Sequence, residues 1–204
     1  MKYIENQAEL EALYSAAPAL ASIAKVADHI TPAYRKLIEH SPFMALASIG
    51  PDGLDCTPRG DAGAVVRIID DKHIAMPDRR GNNRIDSLRN IVENPQVALL
   101  FLLPGSGTTF RINGLARLTT DEDLCKSFEM EGKLPRCVIV IQVEAIYFQC
   151  ARAVIRAGLW DSSRHIAPDA IPSPGEILDG MTAGNIDGKT YDAEWPSRAK
   201  ASMW

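Results

Sequence analysis

The sequence predicts a mostly β fold with some helix: an antiparallel barrel of six or seven short strands. Three observations lead there. From Phe43 onward the apolar residues repeat with the period of strands, and turn signals recur roughly every ten residues. Only one or two helices interrupt the strands, which disfavours a parallel α/β sheet and favours barrel closure. Apolar residues make up 46% of the chain and charged residues 24%, as in an ordinary ordered globular protein.

At 204 residues, the chain is long enough to bury roughly 70% of its unfolded surface in one core. Its longest apolar run, Val97 to Leu103, is far shorter than the ~20 residues that span a bilayer. The N-terminus carries Lys2, Glu5 and Glu9 in place of a signal-peptide core, so no membrane segment and a cytoplasmic location are expected. Cys56, Cys125, Cys137 and Cys150 lack the spacing of a zinc site or a disulfide framework, and no metal is expected. A net charge of −4 argues against a general nucleic-acid surface. The basic residues are unevenly placed, however, and crowd at Arg79, Arg80 and Arg84.

Taken in order, residues 5 to 40 read as helical, with Pro18 to Ile30 in one piece and Thr31-Pro32 capping the next, up to Ser41-Pro42. Phe43 to Ile49 and Leu54 to Arg59 form a hairpin about Pro51-Asp52-Gly53, and Ala64 to Ile69 and His73 to Met76 follow as strands. A meander is the simplest topology. A helix capped by Asn83 presents Ile85, Leu88 and Val92 on one face, packs across the barrel end and stops at Asn94-Pro95. Val97 to Leu103 is apolar without break, so both its faces should be covered. In Thr109 to Leu118, Phe110, Ile112, Ala116 and Leu118 face one side, and Arg111, Asn113 and Arg117 the other. A short helix from Asp121 and a strand from Arg136 to Phe148 complete the barrel, and Trp160 to Trp204 reads as an irregular arm docked on the barrel or on a second subunit. The expected organisation is one domain: N-terminal helices over 1–42, the barrel over 43–150, and a C-terminal helix and arm over 151–204.

The segment from Met76 to Ser87 packs Arg79, Arg80, Asn82, Asn83, Arg84 and Ser87 between Pro77 and a helix start. First-turn N–H groups lack internal partners, so this is either a phosphate cradle or a polar surface loop with a cap. Thr57-Pro58-Arg59-Gly60-Asp61 either brings Arg59 and Asp61 to a cleft or is a turn with a solvated ion pair. Arg152, Arg156 and Trp160 are spaced by four, as on one helical face, where the Trp either stacks on a planar ligand or anchors the arm. Gly105-Ser106-Gly107-Thr108 lacks the lysine of a P-loop, and neither G-x-G-x-x-G nor G-x-S-x-G occurs. Nucleotide hydrolysis, Rossmann-type binding and serine hydrolase chemistry lose support. No catalytic residue can be named.

Ser41-Pro42-Phe43, the run from Asp55 to Asp61, the run from Pro77 to Arg84, Asn94-Pro95 before an apolar strand, and Arg111-Ile112-Asn113-Gly114 resemble the FMN-binding split-barrel flavoproteins related to pyridoxamine 5'-phosphate oxidase. The resemblance implies a split barrel with N-terminal helices and a C-terminal arm, assembled as a homodimer with FMN in clefts at the interface. It implies an FMN-dependent oxidoreductase that transfers hydride between a small-molecule substrate and the flavin N5, with NAD(P)H as a candidate donor. Carried over, Arg67, Arg80, Asn83, Arg84 and Ser87 match the phosphate-binding region, with Arg79 also counted as cofactor-binding, Thr109 and Arg111 match the strand lining the flavin, and Arg59 and Trp160 positions nearer the ring. The vitamin oxidases carry an Arg-Leu-His-Asp-Arg type motif near the C-terminus. Here that region reads Tyr191-Asp192-Ala193-Glu194-Trp195, which counts against pyridoxamine phosphate as substrate. Two other readings share the fold: a non-catalytic barrel that binds flavin or haem, and a deazaflavin-dependent reductase.

Overall fold

The computed structural model describes residues 1–14 and 16–203. Ser15, inside the stretch expected to be helical, and Trp204, the last residue of the expected arm, lie outside the described residues. The N-terminal stretch is three short helices, α1 (Gln7–Leu13), α2 (Leu20–Ala24) and α3 (Pro32–Glu39). The expected helix from Pro18 to Ile30 shrinks to α2, because Ala27 turns extended and bridges Ile146. Thr31 caps α3 as expected, accepting from the Tyr34 amide at 3.3 Å.

Seven antiparallel strands follow: β1 (Phe43–Gly50), β2 (Gly53–Gly60), β3 (Arg67–Ile68), β4 (His73–Pro77), β5 (Gln96–Leu102), β6 (Thr109–Thr119) and β7 (Val138–Gln149). Their order is β2-β1-β5-β6-β7-β4-β3. The chain is thus not a simple meander: β5-β6-β7 is a central one, with the β1-β2 hairpin on one side and β3-β4 on the other. Among the described residues no hydrogen bonds join β2 to β3, so the barrel is split. The strand expected over 64–69 reduces to two residues. Before it the Val65 N–H donates to the Ser41 carbonyl at 2.8 Å instead of joining a ladder, and only Arg67 and Ile68 pair with β4.

The core is built from inward positions of this sheet. Met44, Leu46, Phe101, Phe110, Ile112 and Ile146 are fully buried. Phe101 and Phe110, opposite one another in register, stack with centroids 4.4 Å apart and planes within 5°. The alternation expected for β6 is present, with Arg111 and Arg117 exposed and Phe110, Ile112 and Ala116 buried. A bulge at Asn113/Gly114 bends β6 toward β7, and a Cβ on Gly114 would lie 2.1 Å from the Gln142 carbonyl oxygen. Contrary to expectation, β5 is covered on one face only. Val97, Leu99 and Phe101 point inward, but Ala98 and Leu100 are exposed on the outer face.

The helix after β4 is α4 (Asp86–Glu93), which packs on β1, β2 and β6. Asn83 does not cap it, since the helix begins three residues later, after Ile85 in a left-handed conformation. Its buried face is Ser87, Leu88 and Ile91, while Val92 is 73% exposed. Beyond β6 lies the short helix expected from Asp121, α5 (Glu122–Ser127), which Asp121 caps. The C-terminal region is less irregular than the sequence suggests. It holds α6 (Arg152–Ala157), then two single 3-10 turns, then α7 (Pro174–Met181) and α8 (Gly188–Ser202).

Candidate functional site

The β1-β2 register sets Asp55, Thr57 and Arg59 opposite Ser48, Leu46 and Met44, and so on the inner face of β2. The loop after β4 crosses in front of that face and runs into α4. Between them lies a cavity of about 930 Å³, lined by β2, by residues 76 to 88 and by Arg136 and Cys137. Five arginines (59, 79, 80, 84 and 136) and four aspartates (55, 61, 78 and 86) surround it.

These charges are not equivalent. Arg79 is spent on structure: its Nε and Nη2 reach the Asp61 carboxylate at 3.1 and 2.9 Å, and its Nη1 donates to the Phe128 carbonyl at 2.8 Å. Arg84, largely exposed, donates through Nε to Asp86 at 2.8 Å. Arg59 is half-buried and ties β2 to α4, with Nη2 donating to Ser87 Oγ at 2.7 Å and Nη1 to Thr57 Oγ1 at 3.0 Å. Burial pulls the Arg59 pKa below its ordinary value, against the opposing pull of Asp78 and Asp55. The run from Thr57 to Asp61 is therefore not a solvated turn. It is strand with an inward arginine, and Asp61 pairs with Arg79 instead of Arg59.

The entry to α4 is strained. Asn83 and Ile85 take φ of 62° and 51°, and a β-branched residue there costs on the order of 1–3 kcal/mol. No side chain caps α4. Its first-turn N–H groups therefore open beside Ser87 onto the cavity, at the positive end of the helix dipole. Backbone strain of this kind recurs at ligand clamps.

Asp78 also faces the cavity. Burial raises its carboxyl pKa above the ordinary value, more than nearby Arg59 and Arg136 lower it. Since the folded pKa lies above the unfolded one, the ionised carboxylate destabilises the fold. That cost is present at neutral pH and disappears as pH falls through the folded value toward about 3.9. Asp78→Asn in the cofactor-free protein is thus expected to raise Tm at pH 7 and to lose that gain near pH 4. Thermal melts across that range check this; a variant less stable at pH 7 than the parent refutes it.

The expected site residues fall into four places. Arg59, Arg80, Asn83, Arg84 and Ser87 line the cavity, with Arg79 at its edge. Arg67 lines a second, smaller cavity of about 440 Å³ on the other side of the Asp61–Arg79 pair. There it donates to Ser127 Oγ and O at 2.8 and 2.9 Å and stacks on Phe128, its carbon 4.1 Å from the ring centre. Thr109 and Arg111 lie on the outer face of β6, where Arg111 stacks on Tyr147 at 4.4 Å. Trp160 is not on the helical face of Arg152 and Arg156, because α6 ends at left-handed Gly158; its indole N–H donates to the Ser106 carbonyl at 2.7 Å. One chain therefore does not bring Arg67, Thr109, Arg111 and Trp160 to the main cavity. Sequence reasoning also missed Arg136, which stands alone before β7 with no local motif to mark it.

Residues 30–150 match the family model described as Pyridoxamine 5'-phosphate oxidase. No protein of curated function matches the chain in sequence. Similar solved structures include HupZ of Group A Streptococcus, 24% identical over 57% of this chain and 91% of that one, with a TM-score of 0.47. General Stress Protein 26 of Bacillus anthracis str. Sterne is 17% identical over 56% of this chain and 88% of that one, with a TM-score of 0.43. An F420 reductase is 20% identical over 58% of this chain and 98% of that one, with a TM-score of 0.41.

Proposed function

The chain belongs to the pyridoxamine 5'-phosphate oxidase family, and from that membership we propose that it is an FMN-dependent oxidoreductase acting on a small molecule as a homodimer. The observation that carries the reading is the uncapped start of α4 opening beside Ser87 and Arg59 onto an arginine-rich cavity. A phosphate monoester suits that place: helix N–H groups and a two-pronged guanidinium are both preorganised for an anion. Arg80 adds to the fit, since it lines the cavity with no hydrogen bond or ion pair of its own among the described residues. A cavity of about 930 Å³ has room for a ring system as well as its phosphate tail.

In this reading Arg59 and Ser87 hold the phosphate, and Asn83, Arg84 and Arg80 close over it from the strained loop. Arg79 stiffens the wall through Asp61. Bound FMN supplies hydride transfer at N5, with NAD(P)H as a candidate donor.

The homodimer is supported by the outer sheet face. Leu54 is 83% exposed and Leu100 42%, and Ala47, Cys56 and Ala98 form a flat strip between them. Arg111 shares that face, so pairing two such faces would place it in the interface. The test is the visible spectrum of the purified protein after incubation with FMN and desalting. Retained oxidised-flavin absorption, bleached by a reduced nicotinamide and restored by air, is expected. A colourless protein overturns FMN as the cofactor and directs the search to deazaflavin or haem.

A further inference from the structure

The charges around the main cavity do not cancel. Two pairs neutralise themselves, Arg79 with Asp61 and Arg84 with Asp86. What remains is Arg59, Arg80 and Arg136 against Asp55 and Asp78, one net positive charge, and none of these five forms a salt bridge among the described residues. The phosphate monoester proposed for this place carries close to two negative charges above its second pKa of about 6. A dianion therefore overfills the site by one charge, and a neutral complex needs one proton.

Position decides where that proton goes. Asp78 is half-buried just past β4, and its backbone N–H donates to the Cys137 carbonyl at 3.0 Å, one step beyond the Pro77–Val138 pair of the β4–β7 ladder. That bond fixes Asp78 on the cavity wall, where its carboxylate accepts no hydrogen bond among the described residues. The charged and titratable groups that share the cavity with it are Arg59 and Asp55 of β2, Arg136 and Cys137 before β7, Arg80 of its own loop, and the two neutral pairs. Burial, together with Asp78, pushes the Cys137 thiol up, so that group stays neutral near pH 7. Arg59 and Arg136 both attract Asp78, yet burial outweighs them and tilts its carboxyl toward the neutral form. Arg59 also holds the phosphate in the reading above. Cofactor and Asp78 thus compete for one guanidinium, and two anions sharing a site do not both stay ionised.

We infer that FMN enters this cavity together with one proton, which Asp78 takes up, so that the cofactor is held more tightly as pH falls from about 8 toward about 6.5. The inference rests on the FMN reading above and adds its regulation: Asp78 makes retention of the cofactor respond to pH. Linkage fixes the size of the effect. Uptake of one proton per FMN corresponds to a dissociation constant that rises about tenfold per pH unit. Below about pH 6 the phosphate brings its own proton, and the slope flattens.

Isothermal titration calorimetry of the full-length protein with FMN at about pH 7, repeated in buffers of different ionisation enthalpy, counts the protons taken up, and titrations from about pH 6.5 to about pH 8 give the slope. The parent is expected to take up at least about half a proton per FMN and to weaken at least about threefold per pH unit. In Asp78→Asn the remaining charge of the site matches the dianion. Uptake and slope should both fall to near zero there, and FMN should bind at least about threefold more tightly than to the parent at about pH 8. The parent's proton count tests the linkage even without the variant. FMN bound by the parent with no proton uptake, or uptake unchanged in Asp78→Asn, overturns the linkage and leaves FMN standing as the cofactor. A parent that binds no FMN at any pH overturns the cofactor reading and the linkage with it.

Discussion

Replacing Arg59 with alanine is expected to weaken FMN binding by about 1.5 to 3 kcal/mol, roughly ten- to a hundredfold. The guanidinium is half-buried, already aimed at Ser87 Oγ at 2.7 Å, and placed by the strand register instead of by a loop. Little ordering is therefore lost on binding, and a charged donor in a partly desolvated site is worth more than one in water. Arg84→Ala should cost less, below about 1 kcal/mol, because that side chain is 76% exposed and already neutralised by Asp86. Titration of each variant by flavin fluorescence quenching separates the two. Arg59→Lys should recover part of the loss, since it restores charge without the two-pronged geometry. Arg59→Ala binding as tightly as the parent would refute the phosphate site.

The order of these effects inverts what the sequence alone suggests, and the reason is physical. The crowding of Arg79, Arg80 and Arg84 is visible as composition, but composition does not say which arginines are already partnered. Arg79 is consumed by Asp61, eighteen residues away in sequence, and Arg84 by Asp86. The sequence leaves Arg59 either at a cleft or in a solvated ion pair, and its register opposite Met44 turns it inward. Strand periods were readable because local sterics and one-sided burial enforce them: β1, β2, β6 and α5 lie close to where the sequence puts them. What the local signal could not carry was long-range pairing. β4 bonds to β7 instead of to its sequence neighbours alone, and the Ala27–Ile146 bridge ends a helix that propensity would have continued. Asn83 was a sound cap by residue type. The chain instead uses left-handed Asn83 and Ile85 to turn into α4, which leaves the helix end open.

For the fold itself, Phe110→Ala is expected to destabilise by about 3 to 5 kcal/mol, a large share of the 5–15 kcal/mol that holds a typical domain together. Phe110 is fully buried on β6, stacked on Phe101 of β5 at 4.4 Å, and flanked by strands hydrogen-bonded on both sides, so the surrounding backbone has little freedom to collapse into the void. Urea unfolding followed by circular dichroism reads the loss, and Phe101→Ala should cost a similar amount. The double variant should cost less than the two singles combined by about 0.5 to 1.5 kcal/mol, the share belonging to the stacked pair. Strictly additive losses would show that the rings contribute only separate burial. A loss under about 1 kcal/mol from Phe110→Ala would mean that the β5–β6 register, and with it the placing of Arg111 on the opposite face, is not the one described.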